Sequence, residues 1–291
     1  MAKFLGLGLV ALLFAQSGQL MAEARVIYGE DDRRDLFDSD NDPKMVALAR
    51  STAILVKKSD LTPEGSRFKL PTETFGEAMN LCDDEPFFEQ PTPGFCSGFL
   101  VGDDLLVTAG HCIRDAEMCA GVNFVFDFGY DQQGKDLTTV DAADVYSCKS
   151  IVSQTLEGGQ GNDYAVIKLD RTVTDREPLK LNRSRALKVG DGVTVIGHPS
   201  GLPTKITSKA KVRTNDAAKP YFVANLDTYG GNSGSAVFNT TTGEVEGILV
   251  RGETDFTYRG SCTISNRCAE TGCRGEDVTR VNSFARHVPT L

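Results

Sequence analysis

A single serine lies among glycines in Gly230-Gly231-Asn232-Ser233-Gly234-Ser235. Residues without a Cβ permit a tight turn that lifts one hydroxyl out of a packed sheet and aims neighbouring N–H groups at a common point. A hydroxyl is a weak nucleophile at neutral pH and needs a base. The chain offers three histidines, His111, His198 and His287. His111 ends the hydrophobic stretch Leu105-Leu106-Val107-Thr108-Ala109-Gly110-His111-Cys112, and Asp163 opens Asn162-Asp163-Tyr164-Ala165-Val166-Ile167-Lys168-Leu169. Singly, each has a bland reading: a serine between glycines is a turn, an aspartate heading a strand is a cap, and a lone histidine is structural. Together they supply the base, acid and nucleophile that acyl transfer needs.

The order His111, Asp163, Ser233 and all three local contexts resemble the trypsin-like serine proteases, from about Ser51 to the C-terminus. Gly-Gly-Asn-Ser-Gly-Ser is more similar to the bacterial glutamyl-endopeptidase branch than to the digestive enzymes, which carry Asp where this chain has Asn232. The resemblance implies an all-β fold of two six-stranded Greek-key barrels, about 51–170 and 186–280, closed by a C-terminal helix. It implies that His111 is the general base, that Asp163 holds its tautomer, and that Ser233 attacks a peptide carbonyl. The backbone N–H groups of Gly231 and Ser233 then form the oxyanion hole. Polypeptide substrates, a monomer, no metal and no cofactor complete the expectation. A disulfide between Cys96 and Cys112 is implied by the same likeness.

The N-terminus reads as an export signal over residues 1–24: Lys3, then the apolar run Phe4 to Ala15, then Ala22-Glu23-Ala24 as a small-residue cleavage pattern. Such a run is too short for the ~20 residues that span a bilayer. The net charge of −9 supplies no basic stripe for nucleic acid, and no basic amphipathic segment suggests a membrane surface. The expected location is secreted or periplasmic. Eight cysteines suit that oxidising compartment. Beyond Cys96 and Cys112, the six residues Cys82, Cys119, Cys148, Cys262, Cys268 and Cys273 leave 15 pairings open. A metal at Cys262, Cys268 and Cys273 is disfavoured by the lack of a Cys-x-x-Cys pair or a nearby histidine.

Residues 25–50 read as an N-terminal arm or short propeptide remnant. Its start resembles that of glutamyl endopeptidases, which implies trimming of Arg25 to expose Val26 near the specificity pocket. Asn232 offers no charge to pair with a new amino terminus, so the trypsin activation route has no counterpart. Asp38-Ser39-Asp40-Asn41-Asp42 mimics a calcium loop but lacks its glycine and glutamate, and reads as a solvated acidic linker. Residues 57–95 look like an insertion with a short helix near Phe75 to Leu81. Apolar segments separated by Gly and Asp turns predict strands at 51–56, 98–102, 105–109, 122–128, 142–147 and 164–169, then at 192–197, 206–212, 221–226, 235–239 and 245–251. Val281, Phe284, Ala285 and Val288 fall on one face of a helix.

Substrate preference is less determined. Asp227, six residues before Ser233, stands where trypsin carries the aspartate that pairs with Arg or Lys, and a buried carboxylate there favours basic side chains. Glutamyl endopeptidases place a histidine where this chain has Leu249, which argues against glutamate, while Thr228 and Arg251 keep it open. Two other function classes fit less well. A protease-like binding protein that lost turnover is disfavoured by the complete set His111, Asp163 and Ser233. An α/β-hydrolase fails because there the serine precedes the acid and the histidine.

Overall fold

The computed structural model describes residues 27–183 and 187–291. The export segment 1–24 and the Arg25-Val26 junction lie outside the described residues. Twelve strands make two closed barrels. The first comprises β1 (Thr52–Lys57), β2 (Cys96–Gly102), β3 (Leu105–Thr108), β4 (Val122–Phe126), β5 (Val145–Leu156) and β6 (Asp163–Leu169). The second comprises β7 (Gly192–Gly197), β8 (Lys205–Thr214), β9 (Tyr221–Ala224), β10 (Ala236–Asn239), β11 (Val245–Arg251) and β12 (Glu276–Arg280). Around the first barrel the order is β1-β2-β3-β6-β5-β4, and around the second β7-β8-β9-β12-β11-β10, with every pair antiparallel. The two orders correspond strand for strand, so one Greek-key topology occurs twice without a sequence repeat.

Several strands read as continuous apolar runs because both faces are covered. In β11, Leu249 fills the interior of the second barrel with Val193, Val195, Phe222 and Val278. Its neighbours Ile248 and Val250 instead join the larger core that also holds Phe99, Val107, Phe124 and Ile167 of the first barrel. The alternation along this one strand therefore stitches the barrels together.

The structure departs from expectation in three places. The sixth strand of the second barrel, β12, is Glu-Asp-Val-Thr-Arg, too polar to read as a buried strand, and its acids are held by side-chain partners. The C-terminal periodicity is not an α-helix but two 3₁₀ turns, Val281–Ser283 and Ala285–His287, which bury Val281 and Ala285. The arm is more than a linker: Asp42 caps α1 (Pro43–Ala49), and Met45 and Ala49 enter the main core. As expected, the insertion carries a short helix, α2 (Phe75–Met79), closed by a Thr74/Glu77 capping box. All eight cysteines pair, as Cys82–Cys262, Cys96–Cys112, Cys119–Cys148 and Cys268–Cys273, so the thiolates needed for a metal at Cys262, Cys268 and Cys273 are consumed.

Candidate active site

Because β3 and β6 run antiparallel side by side, the residues after β3 meet those that open β6. His111 lies just past β3 and Asp163 is the first residue of β6. Asp163 is buried and grips His111 twice: Oδ2 is 2.8 Å from the ring Nδ1, and Oδ1 accepts the His111 backbone N–H at 3.1 Å. The ring itself is partly exposed. A carboxylate at Nδ1 selects the tautomer with the proton there and leaves Nε2 as an acceptor. The Cys96–Cys112 disulfide ties the residue after His111 to β2 and closes a loop of 16 residues. Closure of that size is worth ~3 kcal/mol in the chain-entropy picture.

Ser233 comes from the other barrel, on the turn between β9 and β10. Its carbonyl accepts the Ser97 N–H of β2 at 2.8 Å and lies 3.7 Å from the Cys112 sulfur, which sets the turn beside the histidine loop. Gly234 has φ +95°, and a Cβ there would fall 2.0 Å from the Ser97 carbonyl oxygen, so the close approach of the two barrels requires glycine. The Ser233 hydroxyl makes no hydrogen bond to the His111 ring in this arrangement; such contacts are commonly loose without substrate and tighten when it binds.

Around the serine the backbone donors divide into two groups. Asn232, Gly234 and Ser235 donate to Tyr229, Leu249 and Asn232 carbonyls, and Gly230 donates to Asp255 Oδ2 at 2.7 Å. Among the described residues, the N–H groups of Gly231 and Ser233 have no protein acceptor. Ser97 Oγ braces the turn by donating to the Gly231 carbonyl at 3.1 Å while accepting the His198 N–H at 2.9 Å. His198 is wholly buried, with Nδ1 3.0 Å from the Leu202 carbonyl. Burial pushes its imidazole down to about 3, aided by nearby Lys205, so the ring is neutral at working pH. His287 sits apart, its Nε2 3.1 Å from Ser153 Oγ.

The four specificity candidates each have partners within the protein. Asp227 accepts the backbone N–H of Tyr28 at 2.7 Å and of Asp32 at 3.1 Å, so its two oxygens anchor the N-terminal arm. Burial, with Asp32 close by, pushes its carboxyl up to about 8 although the two amide donors pull the other way. Thr228 Oγ1 accepts from the Asn232 side chain, inside the turn. Leu249 is core. Arg251 reaches Asp163 and Asp277. Sequence reasoning also missed Asp255, whose carboxyl burial raises to about 6, and Glu276, raised by burial and bonded to Tyr28 Oη at 3.1 Å. Both sit in polar, Gly-rich segments without any periodic signal. Elsewhere, the acidic trio Asp127, Asp144 and Asp175 is filled by Arg176 Nη2, at 3.4, 2.6 and 2.6 Å.

Comparison with known proteins agrees with this fold. Over 155 residues the chain is 27% identical to a glutamyl endopeptidase of Bacillus licheniformis, covering 51% of this chain and 46% of that protein. Over 184 residues it is 29% identical to a probable periplasmic serine endoprotease, DegP-like, of Halomonas elongata, covering 60% of this chain and 33% of that one. It thus spans less than half the length of either relative. The fold is shared with a solved Glu endopeptidase, at TM-score 0.51 and 15% identity over 90% of this chain and 97% of that one. It is also shared with the VesB protease of Vibrio cholerae, at TM-score 0.53 and 16% identity over 90% and 66%. The family model described as the trypsin-like peptidase domain matches residues 96–248, and the chain belongs to that family.

Proposed function

We propose that this chain is an exported serine endopeptidase that hydrolyses polypeptides through Ser233, His111 and Asp163. The double grip of Asp163 on His111 carries the reading. With Nδ1–H committed to the carboxylate, Nε2 takes the Ser233 proton as Oγ attacks a peptide carbonyl carbon. The displaced π electron pair collects on the carbonyl oxygen, where the unpaired N–H groups of Gly231 and Ser233 receive it, each worth ~3 kcal/mol of barrier. Collapse breaks the C–N bond, His111 returns the proton to the departing amine, and an acyl-serine remains. Water, deprotonated by the same ring, then hydrolyses the ester. The residue 1–24 signal and four disulfides support a periplasmic or extracellular setting.

The test is covalent labelling. An organofluorophosphonate should modify the purified chain, Ser233→Ala should abolish the label, and unfolded casein should be cut only by the former. Undiminished labelling of Ser233→Ala would remove this serine from the chemistry.

A further inference from the structure

β11 is the strand that connects the nucleophile to the acid. The Ser233 turn is fastened to its middle, Gly234 N–H donating to the Leu249 carbonyl at 2.7 Å and Leu249 N–H to the Ser235 carbonyl at 3.0 Å. Two residues further on, β11 ends at Arg251. Strict alternation would send Arg251 to the face of Leu249, into the barrel interior, but the pairing with β12 shifts register between Leu249 and Arg251. Such a bulge re-aims the side chain that follows it. The guanidinium crosses to the first barrel, where Nη2 donates to the Gly161 carbonyl at 3.1 Å and Nη1 lies 3.8 Å from Asp163 Oδ2, the oxygen that holds His111. Its Nε donates to Asp277 Oδ2 at 3.2 Å, and Asp277, itself buried, is held from its other oxygen by Arg274. The Tyr221 ring lies 5.7 Å beneath.

From this geometry we infer that Arg251 is a positioning residue: it orients the Asp163 carboxylate toward His111 and fixes the base of one barrel against the nucleophile of the other. The inference rests on the triad reading above. It departs from a substrate-binding role for Arg251, because Nε and Nη2 are hydrogen-bonded within the protein and Nη1 faces Asp163. A guanidinium suits the position, since its planar fork can serve Asp163, Gly161 and Asp277 at once, whereas an ammonium is a point charge.

The two roles separate kinetically. On a pair of fluorogenic peptides differing only in Glu or Arg before the scissile bond, Arg251→Met should lower kcat by about 10–100-fold for both, the scale of a misplaced catalytic group, with KM within about twofold. Asp277→Asn, which loosens Arg251 without touching Asp163, should lower kcat in the same sense, and Arg251→Lys should recover part of the loss. In an Asp163→Asn background, Arg251→Met should cost less than about threefold more, as expected for groups acting as a unit. Active sites are counted by fluorophosphonate labelling, so that misfolded protein does not enter kcat. A rise in KM confined to the Glu peptide, with kcat unchanged, would return Arg251 to substrate binding. An equal loss of kcat with Asp163 already removed would make its role merely structural. A parent chain that takes no label would overturn the triad reading and this inference with it, whereas a labelled parent with unimpaired Arg251→Met overturns the inference alone.

Discussion

Burial of His198 makes a prediction about acid stability that can be worked through in numbers. The ring is fully enclosed, its Nδ1 is committed to the Leu202 carbonyl, and Nε2 is buried with no hydrogen-bond partner among the described residues. The folded state therefore refuses a proton that the unfolded chain accepts near 6.5. Since the folded value is pushed down to about 3, the unfolded state binds more protons between those two pH values, and stability falls as pH is lowered through that window. At pH 7 the effect is ~0.2 kcal/mol; at pH 5 it reaches ~2 kcal/mol, and it depends little on the folded value as long as that lies well below 5. Buried carboxyls work in the opposite direction. Asp255, raised to about 6, and Asp227, raised to about 8, hold protons in the folded state and so favour it as pH falls from 7 to 5. The parent trend is the sum of these effects, and only a difference isolates the histidine.

The assay is equilibrium urea unfolding, disulfides intact, of the parent and of His198→Gln at pH 7 and pH 5. His198→Gln lowers stability at both, because the site is shaped for an imidazole. Between pH 7 and pH 5, however, the variant should lose ~2 kcal/mol less than the parent. A difference under ~0.5 kcal/mol would mean that the folded protein does protonate His198, and that the loop it supports admits water. That loop matters for the site, since Ser200 N–H donates to the Gly230 carbonyl at 2.5 Å, one residue from the proposed oxyanion donors.

Three further outcomes are expected. Asp163→Asn should lower turnover by ~10⁴ with the thermal transition nearly unchanged, because the wrong tautomer is held; unchanged turnover would take Asp163 out of the site. Gly234→Ala should prevent accumulation of labelled, folded enzyme, since its Cβ meets the Ser97 oxygen at 2.0 Å; a variant that labels at the parent rate would show that β2 and the nucleophile turn are not in tight contact. Asp227→Ala strands the Tyr28 and Asp32 amides, at ~1–3 kcal/mol each. Urea unfolding should register the loss, and limited proteolysis should cut first within residues 27–35, where the parent resists.

What the sequence discloses and what it hides divides along physical lines. His111, Asp163 and Ser233 are legible because each stands at the border between an apolar strand and a turn, and the turn glycines are forced by close backbone approach. Strands β1 to β4, β6, β7 and β9 to β11 are legible because most of their residues on both faces are buried, and β8 because it alternates buried and exposed residues over its second half. By contrast β12 is invisible, its acids being held by Tyr28 and Arg251, partners far away in sequence, and by Arg274 three residues before Asp277, none of which leaves an apolar pattern. The same holds for Asp227. Its position relative to Ser233 suggests a substrate partner, yet the partners it finds are amides almost two hundred residues upstream. The C-terminal turns misled in another way, because four apolar residues at helical spacing are satisfied equally by two 3₁₀ turns that lay Phe284 and Val288 on the core.

The repeated strand order explains why the proposed catalytic residues gather where they do. In each barrel the third strand pairs with the sixth, so residues after the third meet residues that open the sixth. In the first barrel that junction brings His111 onto Asp163. In the second it places Val223 and Ala224, which lead into the segment carrying Ser233, opposite Asp277 and Glu276. An acid opening the sixth strand is thus well placed in both barrels, but it acts on different objects: Asp163 holds the base directly, whereas Asp277 holds the arginine that reaches back to Asp163. If that correspondence is the organising feature of the site, the two acids should be energetically coupled through Arg251. A cycle of Asp277→Asn and Arg251→Met should then be non-additive in kcat by at least about fivefold. Strict additivity would mean that the shared topology places these acids similarly and nothing more.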